Sequence, residues 1–494
     1  MIKNIKWLFL VSLTFVACSK NEEVTTDANS SDGLPLTSGS ANFSKYVALG
    51  NSLTSGYSDG ALFIEGQKGA YPALMAEQFA LVGGGSFTTP FMADNVGGFK
   101  VGGTVASGPR LYYTGISSAP LAPAPGTPST EILNHLTGAF NNMGVPGAKS
   151  FHLLSNTYGN PAGIGSYANP YFVRFASSSS ATVLGDAVAQ NPTFFSLWIG
   201  NNDVLSYATS GGTGVNQTGN LDPATYGSND ITNPNVFASV YNNLVNGLTA
   251  NGAKGVVANI PYVTSIPFFT SVPYNAVPLN SAQVTALNSG YATYNGGLVA
   301  AKNAGLITEA ERLARTINFA VGQNPVVIVD EYLTTVNIPG VITLPKYRQT
   351  TSADYILLLS GGVSAQAHFA AGNGTQTPLA DNWVLSKDEV AEIKTATDAY
   401  NNTIQSIASA KGLAFVNANA VMAQVANGGV SYNGFTLTST FVTGNAFSLD
   451  GVHPSPKGYA LIANKFIEAI NAKYGSNLKG PNVGNYRTLF PAIL

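Results

Sequence analysis

Tyr46-Val47-Ala48-Leu49-Gly50-Asn51-Ser52-Leu53-Thr54 reads as a buried strand that turns abruptly into a helix. Four nonpolar-leaning residues in a row suit a strand covered on both faces, and the glycine lets the chain turn and display Ser52 at the strand's end. Near the other end of the chain stands Asp450-Gly451-Val452-His453-Pro454. An acid three residues before a histidine, with a glycine between them, can aim its carboxylate at one imidazole nitrogen and leave the other free as a base. That base lacks a nucleophile nearby in sequence. Ser52 supplies one if the fold brings the two ends together.

Acyl transfer also needs donors aimed at the oxygen on which negative charge develops. Asn142-Met143-Gly144-Val145-Pro146-Gly147-Ala148 ends an apolar run with a glycine whose N–H can point inward. Gly200-Asn201-Asn202-Asp203 follows the strand-like Phe194-Phe195-Ser196-Leu197-Trp198-Ile199 and puts an asparagine amide at that strand's C-terminal edge. Taken singly, each motif suits a helix cap or a turn. Four of them in order, three after strand-like runs, do not fit that reading.

In the order Ser52, Gly147, Asn202, His453, the sequence resembles the SGNH, or GDSL, hydrolases. The resemblance implies a three-layer α/β/α, flavodoxin-like fold with a mostly parallel five-stranded sheet, carrying large insertions here. It makes Ser52 the nucleophile, His453 the general base and Asp450 the acid that orients it. The oxyanion hole would be the N–H groups of Ser52 and Gly147 and the side-chain amide of Asn202, with no cofactor. One departure is Gly-Asn-Ser-Leu where the family usually has Gly-Asp-Ser-Leu. Asn51 both accepts and donates hydrogen bonds in a turn, so the local geometry is expected to survive.

The implied activity is serine ester hydrolysis through an acyl-enzyme, on lipid or other acyl esters. A carbohydrate O-acetylesterase of the same fold and a catalytically silent surface binding lipoprotein stand as alternatives. Phe268 and Phe269, like Tyr112 and Tyr113, are candidates to line the substrate pocket. His135, His152 and His368 have no second ligand at metal spacing, so no metal site is expected.

The chain opens with Lys3 and Lys6, then the apolar run Trp7 to Ala17, then Cys18, its single cysteine. This is the form of a signal peptide over residues 1–17, too short to span a bilayer. Phe15-Val16-Ala17-Cys18 resembles a bacterial lipobox, which implies a lipid on Cys18 and an outer-membrane anchor, periplasmic or surface-facing. Lys20-Asn21-Glu22-Glu23 resembles the acidic export tag of some Bacteroidetes lipoproteins. Residues 18–42, rich in Ser, Asn, Thr, Asp and Gly, are expected to form a flexible tether. One cysteine excludes an internal disulfide.

Charged residues make up 10% of the chain, against about 25% in typical soluble domains, so Asn, Ser, Thr and Gly must wet the surface. Net charge is -2 and no Lys/Arg cluster occurs, which argues against nucleic acid as a partner. Strand-like runs at Tyr46 to Leu49, Ala139 to Val145, Thr193 to Ile199, Gly255 to Ile260 and Leu413 to Val416 alternate with helical patterns, as in a parallel sheet covered on both faces. Helices are expected from Lys387 to Lys411, behind the capping box Ser386 to Glu389, and from Ser455 to Tyr474. The hydrolase domain is placed at 43–478, with a tail at 479–494. Stretches near 60–129 and 262–383 read as insertions that form a lid or substrate wall, or else cover exposed sheet and helix.

Overall fold

The computed structural model describes residues 27–116, 120–338, 342–358 and 365–494. The expected signal peptide and Cys18 lie outside the described residues. Five strands build the central sheet: β1 Tyr46–Gly50, β2 Asn142–Gly144, β3 Phe194–Trp198, β4 Lys254–Ala258 and β5 Ala414–Val416. They stand in the order β5-β4-β3-β1-β2, and every pairing is parallel. Each lies within, or within a residue of, one of the five apolar runs, as expected for strands buried on both faces.

The helices that matter for the site are α1 Ser52–Ser55, α2 Tyr71–Ala80, α3 Asn202–Thr209, α4 Pro234–Thr249, α5 Lys387–Ala410, α6 Ala418–Ala426 and α7 Pro456–Tyr474. Side chains alternate along the strands with a period of two and so divide between two cores. Val47, Leu49, Phe195, Leu197 and Val257 join Phe237, Tyr241 and Leu244 of α4 and Ile393, Tyr400 and Ile404 of α5. Tyr46, Ala48, Phe194, Trp198 and Val256 instead join Tyr71, Met75 and Phe79 of α2 and Tyr459, Phe466 and Ile470 of α7. The result is the expected three-layer α/β/α sandwich.

Both long helices begin and end for local reasons. Ser386 accepts the Glu389 N–H while Glu389 accepts the Ser386 N–H, closing the capping box of α5. Ser455 caps α7, Pro456 takes the first position, where its missing N–H costs nothing, and Gly475 ends it at φ +72. Because α7 follows His453 by three residues and buries its apolar face on the sheet, it anchors the histidine loop.

One segment differs from expectation. Residues 27–42, expected as tether, lie along the C-terminal part of the chain: Ser31 N–H donates to Asn477 O at 2.8 Å, Thr37 N–H to Asn477 Oδ1 at 2.8 Å and Ser40 N–H to Tyr474 O at 2.8 Å. A polar composition suits a flexible linker, but here Asn477 offers both backbone and side-chain partners that satisfy it. The second insertion contains two consecutive helices, Ser281–Gly290 and Ala292–Asn303, parted where Gly290 weakens helix propensity. That insertion has its own core around Leu298, Ile317, Val327 and Ile356. It is tied to the start of α5 through buried Arg348, which pairs with Asp330 at 2.5 Å and Asp354 at 2.7 Å, while Asp354 accepts the Lys387 N–H.

Candidate active site

Ser52 follows β1 at the C-terminal edge of the sheet. Gly50 is required there by contact rather than by φ: a Cβ on it would sit 2.5 Å from Trp198 O and 2.1 Å from Thr54 Oγ1. Asn51 caps α1 by accepting the Leu53 N–H at 3.0 Å, and its amide donates to Asn201 Oδ1 at 3.3 Å. The asparagine thus keeps the turn that the family's aspartate would make. Ser52 becomes the first residue of α1, and among the described residues its own N–H meets no acceptor.

The fold brings Ser52 and His453 together. Ser52 Oγ lies 2.9 Å from His453 Nε2, and His453 Nδ1 lies 2.8 Å from Asp450 Oδ2. With the proton on Nδ1 donated to Asp450, Nε2 accepts the Ser52 hydroxyl. Asp450 Oδ1 also accepts the N–H groups of Val452 at 2.9 Å and His453 at 2.8 Å, and Oδ2 accepts the Gly60 N–H at 2.9 Å. Burial by itself would raise the Asp450 carboxyl, but the His453 charge and these donors outweigh it and hold it down at about 2. The acid is therefore ionised wherever the histidine could serve as a base.

Asn202 is the first residue of α3 and is nearly buried, with one amide N–H on Ala148 O at 2.9 Å. An amide has two such protons, which leaves the second for a ligand. Gly147 adopts φ +79, which favours glycine, and among the described residues its N–H has no acceptor. Pro146 O beside it accepts from Asn169 Nδ2 at 2.8 Å. Asp203, quoted in the motif without a role, accepts the N–H and hydroxyl of Ser150 at 2.8 and 2.6 Å, tying α3 to the loop that carries Gly147. Only its strand-end position and its type hinted at this.

A cleft of about 130 Å³ begins at Ser52, Asn202 and His453. It runs between Leu53, Val263 and Ile266, the Val421, Met422 and Val425 face of α6, and Leu461 and Phe466 of α7. Sequence reading missed the α6 wall, whose apolar pattern matches that of any helix packed on a core. Phe268 and Phe269 are corrected: neither lines this cleft. Phe269 is buried in the main core against Tyr355, and Phe268 packs on that core while its N–H donates to Gly451 O at 2.9 Å. Apolar side chains beside prolines after a strand satisfy the core before they reach a ligand. Tyr112 and Tyr113 sit on a separate hairpin and do not line the cleft either.

Glu331, Asp381 and Glu389 form a group of carboxylates whose oxygens lie within 4.8 Å of one another, and none of the three lines the cleft. Burial and the neighbouring acids push Asp381 up to about 6 and Glu389 up to about 8.

The family model described as GDSL-like Lipase/Acylhydrolase matches residues 333–466, a stretch that holds Asp450 and His453. No curated protein matches. Among solved structures, an alpha/beta hydrolase enzyme from the metagenome of Lake Arreo, Spain, aligns at 11% identity and TM-score 0.31 over 87% of this chain and 96% of its own. The extracellular lipase of Streptomyces rimosus aligns at 12% identity and TM-score 0.27 over 87% and 98%. Likenesses this slight carry no weight for fold or chemistry. The stretch that resembles the GDSL-like lipases and acylhydrolases holds the acid and the histidine, and the fold brings the serine to them across 401 positions, as in a carboxylic-ester hydrolase.

Proposed function

We propose that this hydrolase works through an acyl-enzyme on esters whose acyl group is a hydrocarbon chain. Ser52 Oγ attacks the ester carbonyl and passes its proton to His453 Nε2, while Asp450 keeps the imidazole in the tautomer that can receive it. The oxyanion is met by the N–H groups of Ser52 and Gly147 and the free amide proton of Asn202. The imidazolium then protonates the leaving alcohol, and water, activated by the same histidine, releases the acid. The support for the geometry of attack is the Ser52–His453–Asp450 relay.

The observation that carries the substrate class is the apolar cleft opening at Ser52, which is larger and less polar than an acetyl group needs. Each methylene buried there contributes about 0.8 kcal/mol, or roughly fourfold in kcat/KM while the cleft still has room. Across nitrophenyl esters, kcat/KM is therefore expected to climb at least tenfold from acetate to octanoate. A maximum at acetate with a steady fall thereafter would reject the acyl-chain reading in favour of acetyl removal. Failure to react with a fluorophosphonate serine probe would instead favour a silent binding protein.

The same proposal places the protein on the bacterial outer membrane through a lipid on Cys18. The nine-residue step from Cys18 to Asp27 can span at most about 30 Å, so the anchor would hold the domain close. Residues 27–42 lead to the N-terminal edge of the sheet, whereas Ser52 and His453 stand at its C-terminal edge, across the domain from the anchor. No helix among the described residues is long and apolar enough to cross a membrane. Cys18→Ala is expected to abolish lipid labelling and shift the protein out of membrane fractions. Unchanged labelling in that variant would reject the anchor.

A further inference from the structure

Behind Asp450 stands a turn that the proposed chemistry does not use. Ser58 and Ala61 exchange N–H···O bonds of 3.1 Å around Asp59-Gly60, and both central residues have positive φ, +52 and +78. This is the geometry of a type I′ turn, free of strain for glycine and tolerated by aspartate. The turn faces the 448–453 loop at three successive residues. Asp59 N–H donates to Ser448 Oγ at 3.0 Å, Leu449 N–H donates to Asp59 Oδ1 at 2.9 Å, and Gly60 N–H donates to Asp450 Oδ2 at 2.9 Å. Ser448 Oγ in turn donates to Asp450 Oδ1 at 3.1 Å. The Asp59 side chain is buried, and among the described residues its Oδ2 has no hydrogen-bond partner.

We propose that Asp59 is a positioning residue for ester hydrolysis: it locks the 448–453 loop so that Asp450 and His453 meet Ser52, and its charge acts on that relay from behind. This rests on the roles given above to Ser52, Asp450 and His453. The charged groups facing Asp59 are Asp450 on the loop and Arg110, whose guanidinium is held by the carbonyls of Asn95, Pro491 and Ala492, with Arg487 close to it. Burial, only partly countered by the Leu449 N–H, pushes the Asp59 carboxyl up to about 7. Asp450 and Arg110 act on it in opposite directions. As Asp59 ionises, a second negative charge appears behind Asp450. It stabilises the positive charge that develops on the imidazole in the transition state.

The test uses the full chain with Asp59→Ala and Asp59→Asn, following kcat and KM on a nitrophenyl ester, fluorophosphonate labelling of Ser52 and thermal melting. Asp59→Ala removes the acceptor for Leu449 and is expected to lower kcat by about 10- to 100-fold, with KM within about twofold and labelling slowed in parallel. Asp59→Asn keeps an acceptor and the turn but cannot ionise. The ratio of wild-type to Asn-variant kcat should then rise from about one near pH 5.5 to several-fold near pH 9, a comparison in which titration of the shared histidine largely cancels. A ratio flat across that range overturns the proposal, as does an unchanged kcat in a folded Asp59→Ala. If Asp59→Ala does not fold, the Asn ratio decides. Activity surviving in Ser52→Ala would mean that the nucleophile reading has failed; loss there, with both Asp59 variants behaving as wild type, would mean that only the positioning role has.

Discussion

Ser52→Ala and His453→Ala should each remove nearly all turnover, by on the order of a millionfold, because in the proposed mechanism nucleophile and base act as one unit and either is idle alone. The 2.9 Å approach of Ser52 Oγ to His453 Nε2 is the physical reason to expect equal losses from the two replacements, and the double variant should be no worse than either. Folding should survive. Among the described residues Ser52 makes no side-chain bond other than that to His453, and α7 rather than the imidazole anchors the histidine loop. The measurement is kcat on a nitrophenyl ester beside a melting curve. Ser52→Ala that stays folded and hydrolyses the ester at the wild-type rate would remove Ser52 from the chemistry.

Asn202→Ala should lower kcat by about a hundred- to a thousandfold and change KM far less, since the free amide proton gains most when charge gathers on the carbonyl oxygen. Its other proton holds Ala148 O, so the replacement also loosens the loop carrying Gly147. A comparison with Asp203→Asn separates the two effects. Asp203 ties the same loop through Ser150 without lining the cleft, so its replacement should loosen that loop while leaving the Asn202 donor in place. A loss of less than a few fold for Asn202→Ala would exclude its amide from the oxyanion hole.

Much of this was legible beforehand where the signal is local. All five apolar runs became strands of one parallel sheet, because a strand buried on both faces must be apolar along its whole length. The acid three residues before the histidine does reach Nδ1, because Gly451 at φ +71 makes the turn that its place in the motif suggested. Phe268 and Phe269 misled. An apolar pair beside prolines looks the same whether it faces a ligand or a core, and here Gly451 O and Tyr355 claim it. Residues 27–42 misled in the opposite sense, since a polar segment is ordered as readily by backbone partners as by apolar ones.

By itself the sequence determined the elements that rest on short-range chemistry: apolar strands, the capped ends of the two long helices, the turns at Gly50 and Gly451, and the candidate nucleophile, base and acid. Tertiary structure decided whatever depends on which surfaces meet. Parallel crossovers carried Ser52 and His453 to the same sheet edge. The faces of α6 and α7 left an apolar cleft at that edge, and a turn at Asp59 and Gly60 came to rest behind Asp450 across 390 residues of chain. Such contacts leave no local trace, because the residues that make them obey the same burial and hydrogen-bonding rules as any core helix or tight turn.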